Sequence, residues 1–257
     1  MIDHRAIIHP AARLADDVEV GPFTTIGADV EIGAGSKIHS HVVIKGLTKI
    51  GRSNTIYQFA SVGEDSQDKK YRGEPTRLEI GDGNVIREGC TLHRGTVQDN
   101  SLTRIGSGNL LMAYVHIAHD CLVGDNCIFA NNTTLAGHVV VENHAIMGGF
   151  TKVHQFCRIG RYSMTAGSTT LFKDLPAYVM ASGTPASPSG INIEGLKRLD
   201  WQPETILRLR QAYKVLYRQA LSQAAAIETL ESMVQETPEI QALIDSVRSS
   251  TRGIIRK

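Results

Sequence analysis

The sequence predicts an all-β parallel β-helix through most of the chain, followed by a small α-helical C-terminal domain. Three observations lead there. From Ile8 an aliphatic residue recurs at every sixth position, through Leu14, Val20, Ile26, Ile32, Ile38, Ile44, Ile50 and Ile56 to Val62. Glycine directly follows that residue at Gly21, Gly27, Gly33, Gly51, Gly63, Gly81, Gly106, Gly124, Gly148 and Gly160. Near Pro185 the repeat stops and helical spacing begins. A period of six fits neither an α-helix nor a hairpin and matches coils built from hexapeptides.

Taken in order, the aliphatic register resumes at Ile80, Ile86 and Leu92, then restarts one residue out of phase at Ile105. It continues through Leu111, Ile117, Val123, Phe129, Leu135, Val141, Met147 and Val153 to Ile159. The glycines read as turn residues that tolerate positive φ. Two residues before each aliphatic lies a second inward position, small or β-branched at Ala12, Val18, Thr24, Val30, Val42 and Thr48. All four cysteines, Cys90, Cys121, Cys127 and Cys157, fall there. They read as small core hydrophobes rather than ligands or nucleophiles.

The two interruptions predict loops at 64–77 and 97–104, projecting from the wall where function concentrates. The coil then occupies 1–185 and the helical domain 186–257. In the latter, Pro203 suits a helix start, and the stretch from Glu204 to Tyr217 places Ile206, Leu209, Tyr213, Leu216 and Tyr217 at helical spacing. Thr237 and Pro238 read as an N-cap and first helical residue. Such a domain would cap the open end of the solenoid.

Composition narrows the function. With 257 residues, 42% hydrophobic and 5% aromatic content, the core is aliphatic. A formal charge of +1 offers no global field for nucleic acid or an anionic membrane. No leader-like segment and no run of about 18 apolar residues is found, and no cysteine pairing pattern. The expectation is a cytoplasmic protein without an integral membrane segment.

In known hexapeptide coils three repeats make one turn, so residues 18 apart stack. His119, Gly137 and Gln155 then share one column, and Asp120 and His138 the next. His119 lies two residues after Ile117, outside the inward positions, so its ring should reach the surface. Acyl transfer to a hydroxyl needs a base and an oxyanion donor. His119 can be the base, Asp120 can orient it and stabilise its protonated form, and the unobstructed Gly137 N–H can hold the oxyanion. His116, His119, His138, His144 and His154 cluster within a few coils, whereas His4, His9, His39 and His41 read as bystanders.

Several segments carry a resemblance: HIAHDCLVGDNC (116–127), NNTTLAGHV (131–139), VHQFCRIG (153–160), GEPTRLEIG (73–81), HRGT (93–96) and NIEGLKR (192–198). Together they resemble UDP-N-acetylglucosamine O-acyltransferase, the family that begins lipid A synthesis in Gram-negative bacteria, from the first coil to the terminal STRGI. The resemblance implies a left-handed coil, against the usual right-handed crossover, and a homotrimer with sites in the clefts between neighbouring coils. Its substrates would be UDP-N-acetylglucosamine and a (R)-3-hydroxyacyl chain on acyl carrier protein, with no metal or free coenzyme. It implies that His119 is the general base, Asp120 its partner and Gly137 the oxyanion donor. His116, His138, Gln155 and His154 would line the cleft, Asp68 and Lys70 would hold the sugar nucleotide, and Asn192, Glu194 and Arg198 the nucleotide. Leu199 departs from the family, which often has a second arginine there. Gly167 matches the acyl-chain ruler and stacks 18 residues after Gly149, which implies an open channel for a longer chain.

Six basic residues between Lys197 and Arg218 (Lys197, Arg198, Arg208, Arg210, Lys214, Arg218) face only Asp200 and Glu204. Such a face would steer an acidic carrier protein. The rival readings are the N-acyltransferase of the same pathway, which normally has a domain before the repeat, and a hexapeptide-fold zinc carbonic anhydrase. A purely scaffolding solenoid would have no use for the His119 column.

Overall fold

The computed structural model describes residues 1–256. Short strands, most of them two residues long, stack into three sheets of nine, eight and ten strands. Pairing is parallel and in 18-residue register: Ile8 lies beside Ile26, Ile26 beside Ile44 and Ile117 beside Leu135. The sixth-position aliphatics from Val20 onward point into the coil and are buried, as are all four cysteines. Burial pushes the thiols of Cys90, Cys121 and Cys127 up to about 12, so they are inert packing groups.

The turn chemistry differs from the expectation. Of the glycines that follow an aliphatic, only Gly63 has positive φ. The left-handed residue comes two positions later and is seldom glycine: Phe23, His41, Phe59, Asp120, His138 and Phe156 all adopt it. Stacking between successive coils helps to offset the strain, as in Phe23 against His41 and His138 against Phe156. Glycine is required for another reason. A Cβ at Gly21, Gly33 or Gly148 would fall 2.7 Å from the backbone of the next coil.

The inserted loops also differ from the expectation, the first being shorter and the second lying three residues earlier at the same length. Strands end at Glu64 and resume at Arg77, leaving 65–76. The second loop spans 94–101, because Leu102–Ile105 pairs residue for residue with Arg77–Ile80. Across these insertions the register step becomes 30 residues (Ile56 to Ile86) and then 25 (Ile86 to Leu111). A buried asparagine ladder spans both. Asn84 donates its side-chain amide to Asn54 Oδ1, and Asn109 donates to Asn84 Oδ1, each at 3.0 Å. Asn109 Oδ1 accepts from Cys127 N–H at 2.7 Å.

The last strand, Ser187–Ile191, turns back antiparallel on Val179–Ser182, so sheet continues past residue 185. Four helices follow: α1 (Ile193–Lys197), α2 (Pro203–Arg218), α3 (Gln223–Val234) and α4 (Ile240–Arg248). Helix α4 starts later than Thr237 and Pro238 suggest. The amides of Ile240 and Gln241 bond to the carbonyls of Thr237 and Pro238 as a tight entry turn. The helices pack on the last coils. Trp201 meets the stacked Tyr162 and Tyr178 edge-on, and Asp174 accepts from Ser250 Oγ near the chain end. No described helix is long and apolar enough to cross a membrane.

Candidate active site

Residue 119 lies just past the strand His116–Ile117, where the chain leaves the sheet and the side chain turns outward. The imidazole of His119 lies flat over the bare backbone of Gly137, one coil on. A Cβ at Gly137 would stand 2.5 Å from His119 Cε1 and 2.6 Å from Nε2. The 18-residue spacing is therefore realised as direct contact. His119 Nδ1 is 2.8 Å from Asp120 Oδ2.

Asp120 is buried and in the left-handed region. Its carboxylate accepts from Thr96 N–H at 2.8 Å (Oδ1) and from Thr96 Oγ1 at 2.6 Å (Oδ2). Its own N–H donates to Thr103 Oγ1 at 2.8 Å. Burial raises the carboxyl's proton affinity, but the bonds from His119 and Thr96 outweigh it and hold the group below the ordinary carboxylate range. An ionised Asp120 can only accept, so His119 Nδ1 carries the proton and Nε2 presents its lone pair outward.

Two further groups converge on the dyad. The first loop brings Asp68 Oδ2 to 4.0 Å from His119 Nε2. His138 stands edge-on to His119, with Nε2 at 3.9 Å from Asp120 and Nδ1 at 3.0 Å from Asp99. His119, Asp120 and His138 each offer a ligand atom within 4.8 Å of the others, a grouping that could hold a cation. Asp120 Oδ2, however, already accepts from both His119 and Thr96.

His116 bonds through Nδ1 to Thr91 Oγ1 at 2.7 Å, and burial lowers its pKa to about 4, so its ring is neutral. Gln155 lies one coil beyond Gly137, exposed, its side chain free of hydrogen bonds among the described residues. Lys70 is exposed; its backbone N–H bonds to Asp68 Oδ1 at 2.8 Å. Gly167 is exposed, and a Cβ there would meet only Gly149 O, at 3.6 Å.

Other expected members make no hydrogen bond or ion pair with the dyad among the described residues. His144 stacks on Tyr162 because it is six residues from His138, a third of a turn away on another edge. His154 packs against Phe172 at 6.0 Å. Buried Asn192 spends its carboxamide on architecture, accepting from Gly195 N–H as the cap of α1 and donating to Tyr162 O, both at 3.0 Å. Glu194 pairs with Lys197 at 3.0 Å, and Arg198 has no ion pair among the described residues. Arg94 and Thr96 were missed. Arg94 lies over Gly46, pairs with Asp65, and donates to Tyr71 Oη at 2.8 Å and Gly63 O at 3.2 Å, fastening the loop that carries Asp68. Both fall where the insertions break the 18-residue count.

Comparison with known proteins agrees with this architecture. The bacterial transferase hexapeptide repeat matches residues 11–46 and 102–137, and the family described as UDP N-acetylglucosamine O-acyltransferase, domain 2, matches 174–255. The acyl-(acyl-carrier-protein)–UDP-N-acetylglucosamine O-acyltransferase of Stutzerimonas stutzeri is 57% identical, covering 100% of this chain and 99% of that one. Its counterpart in Thiobacillus denitrificans is 56% identical over 98% and 97%. The solved LpxA of Acinetobacter baumannii superposes with a TM-score of 0.97 at 57% identity, covering 99% of each chain. The UDP-N-acetylglucosamine acyltransferase of Francisella novicida does so at 0.97 and 40% identity, over 100% and 94%.

Coil and dyad together define the class, a hexapeptide-repeat acyltransferase on a left-handed parallel β-helix. The full-length identities narrow it further. The chain belongs to the UDP-N-acetylglucosamine O-acyltransferase family.

Proposed function

We propose that the chain transfers a (R)-3-hydroxyacyl group from acyl carrier protein to the 3-hydroxyl of UDP-N-acetylglucosamine, the first step of lipid A biosynthesis. The observation that carries this reading is the His119–Asp120 pair, its Nε2 open above the backbone of Gly137. Nε2 takes the hydroxyl proton as the oxygen attacks the thioester carbonyl. The Gly137 N–H, which has no hydrogen-bond acceptor among the described residues, receives the oxyanion. The tetrahedral intermediate then collapses, the C–S bond breaks, and the imidazolium returns its proton to the leaving thiolate. A general base contributes about 10²- to 10⁴-fold and one oxyanion donor about 10²- to 10³-fold.

Asp68 and Lys70 bind the sugar nucleotide, and His116, His138, Gln155 and His154 line the cleft. Glu194 and Arg198 contact the nucleotide, while Asn192 serves by placing α1. The active form is a homotrimer with its sites between neighbouring coils. In support, the third sheet presents outward a column of half-buried apolar side chains, Val85, Leu110, Ile128, Ile146 and Met164, that a second coil would cover. Arg208 and Lys197 are spent on Glu236 and Glu194, so Arg210, Lys214 and Arg218 form the face that steers the acidic carrier. Four free, buried cysteines fit a cytoplasmic, reducing setting.

The test is to incubate the purified chain with UDP-N-acetylglucosamine and 3-hydroxyacyl carrier protein, after exhaustive chelation, and to map the product by fragmentation. The expected product is a 3-O-ester with equimolar carrier thiol. No ester from UDP-N-acetylglucosamine, but an amide once a 3-O-acylated UDP-glucosamine with a free amine is the acceptor, would favour the N-acyltransferase reading, and zinc-dependent CO2 hydration without acyl transfer would favour the carbonic anhydrase.

Gly167 sets chain length in this scheme. With the wall open at Gly149 and Gly167, donors longer than ten carbons are preferred. Gly167→Met, which meets no backbone obstacle, shifts preference to shorter donors. Strict use of ten-carbon or shorter donors by the unaltered chain would overturn the assignment.

A further inference from the structure

We infer that Thr96, in the second inserted loop, is the positioning residue that keeps the base in its working tautomer. The inference rests on His119 being the base. Thr96 is buried and grips Asp120 at both oxygens, through its N–H and its hydroxyl. Its hydroxyl shares Oδ2 with His119 Nδ1. This double seat fixes the carboxylate plane, so that Oδ2 points along the His119 ring and cannot rotate away. It also keeps the carboxylate charged in a buried place, which obliges His119 Nδ1 to carry the proton and leaves Nε2 free to accept one.

The loop is built to hold Thr96 there. Thr96 O accepts from Ser101 N–H at 3.1 Å and from Asp99 N–H at 3.3 Å, closing a turn around it. A Cβ at the preceding Gly95 would run into the backbone at Leu102. From the far end of the loop, Thr103 Oγ1 receives the Asp120 amide. Asp120 is thereby gripped from both sides of a seven-residue insertion in the repeat, counted as the 25-residue step from Ile86 to Leu111 less the regular 18. The loop has a use that a spacer between strands would not need.

Thr96→Val preserves shape and the backbone N–H but removes the hydroxyl, whereas Thr96→Ser keeps it. The expected result for Thr96→Val is a kcat reduced about 10- to 100-fold, the size seen when the outer partners that orient metal-ligating histidines are removed, with the KM of both substrates unchanged. Thr96→Ser restores kcat to within a few-fold. Nitrogen-15 NMR of the His119 ring, assigned by its disappearance in His119→Ala, should show the Nδ1–H tautomer in the unaltered chain and a tautomer mixture in Thr96→Val. Unaltered kcat in the valine variant, a rise in KM alone, or failure of serine to rescue would each overturn the inference. So would an Nε2–H tautomer in the unaltered chain, which needs no variant to fold. If His119→Ala retains full turnover, the base assignment itself falls. If His119→Ala is inactive but Thr96→Val is not, only the role of Thr96 falls.

Discussion

His119→Ala lowers kcat by about 10²- to 10⁴-fold, the worth of a positioned general base, while the KM for UDP-N-acetylglucosamine changes little. The asymmetry follows from where the proton moves. Nε2 takes charge only as the hydroxyl oxygen attacks, so its contribution is concentrated in the transition state. The fold should hardly notice. The ring lies outside the coil wall, and Asp120 retains both bonds from Thr96 after the imidazole is gone. Thiol release under saturating substrates gives kcat, and calorimetry on the same samples separates chemistry from unfolding. Turnover within tenfold of the unaltered chain at an unchanged melting temperature would remove His119 as the base.

Gly137→Ala is the second large effect, expected to reduce kcat by about 10²-fold. Alanine suits the backbone here, because φ at 137 lies outside the left-handed region. The N–H also remains. What changes is the floor under the imidazole. A methyl group 2.5 Å from Cε1 and 2.6 Å from Nε2 is closer than carbon tolerates, so the ring must lift or swing. A displacement of about 1 Å at a reacting atom suffices for a loss of that size. Gly27→Ala is the control, since its Cβ meets nothing nearer than 3.5 Å. Equal activity in both variants would show that the imidazole does not rest on Gly137 during catalysis.

The regular part of the molecule was legible in advance because it obeys one number. Six-residue spacing located the inward aliphatics and the cysteines, and its multiple of 18 put His119 beside Gly137. The same number failed wherever residues had been inserted. Asp68 reaches His119 from one loop and Thr96 reaches Asp120 from the other, and no harmonic links 68 or 96 with 119. His144 shows the converse error: nearness in sequence suggested nearness in space, yet six residues carry the chain to a different edge. The glycines were located correctly and explained wrongly. Their compactness, rather than their freedom, is what neighbouring coils require, while aromatic and polar residues occupy the left-handed corners. Asn192 shows that a residue in a binding motif can be committed to holding a helix in place.

The asparagine ladder has a consequence for how such a chain can change. Slipping a strand by one residue would turn its core face outward, so every insertion in a repeat threatens the whole stack downstream. Asn54, Asn84 and Asn109 counter that threat at the two places where it arises, because each side-chain amide is bonded to the next across the insertion, whatever length of chain lies between. The loops are thereby uncoupled from the frame. New residues can be tried beside the dyad, lengthened, shortened or exchanged, without renegotiating the alignment of the coils above.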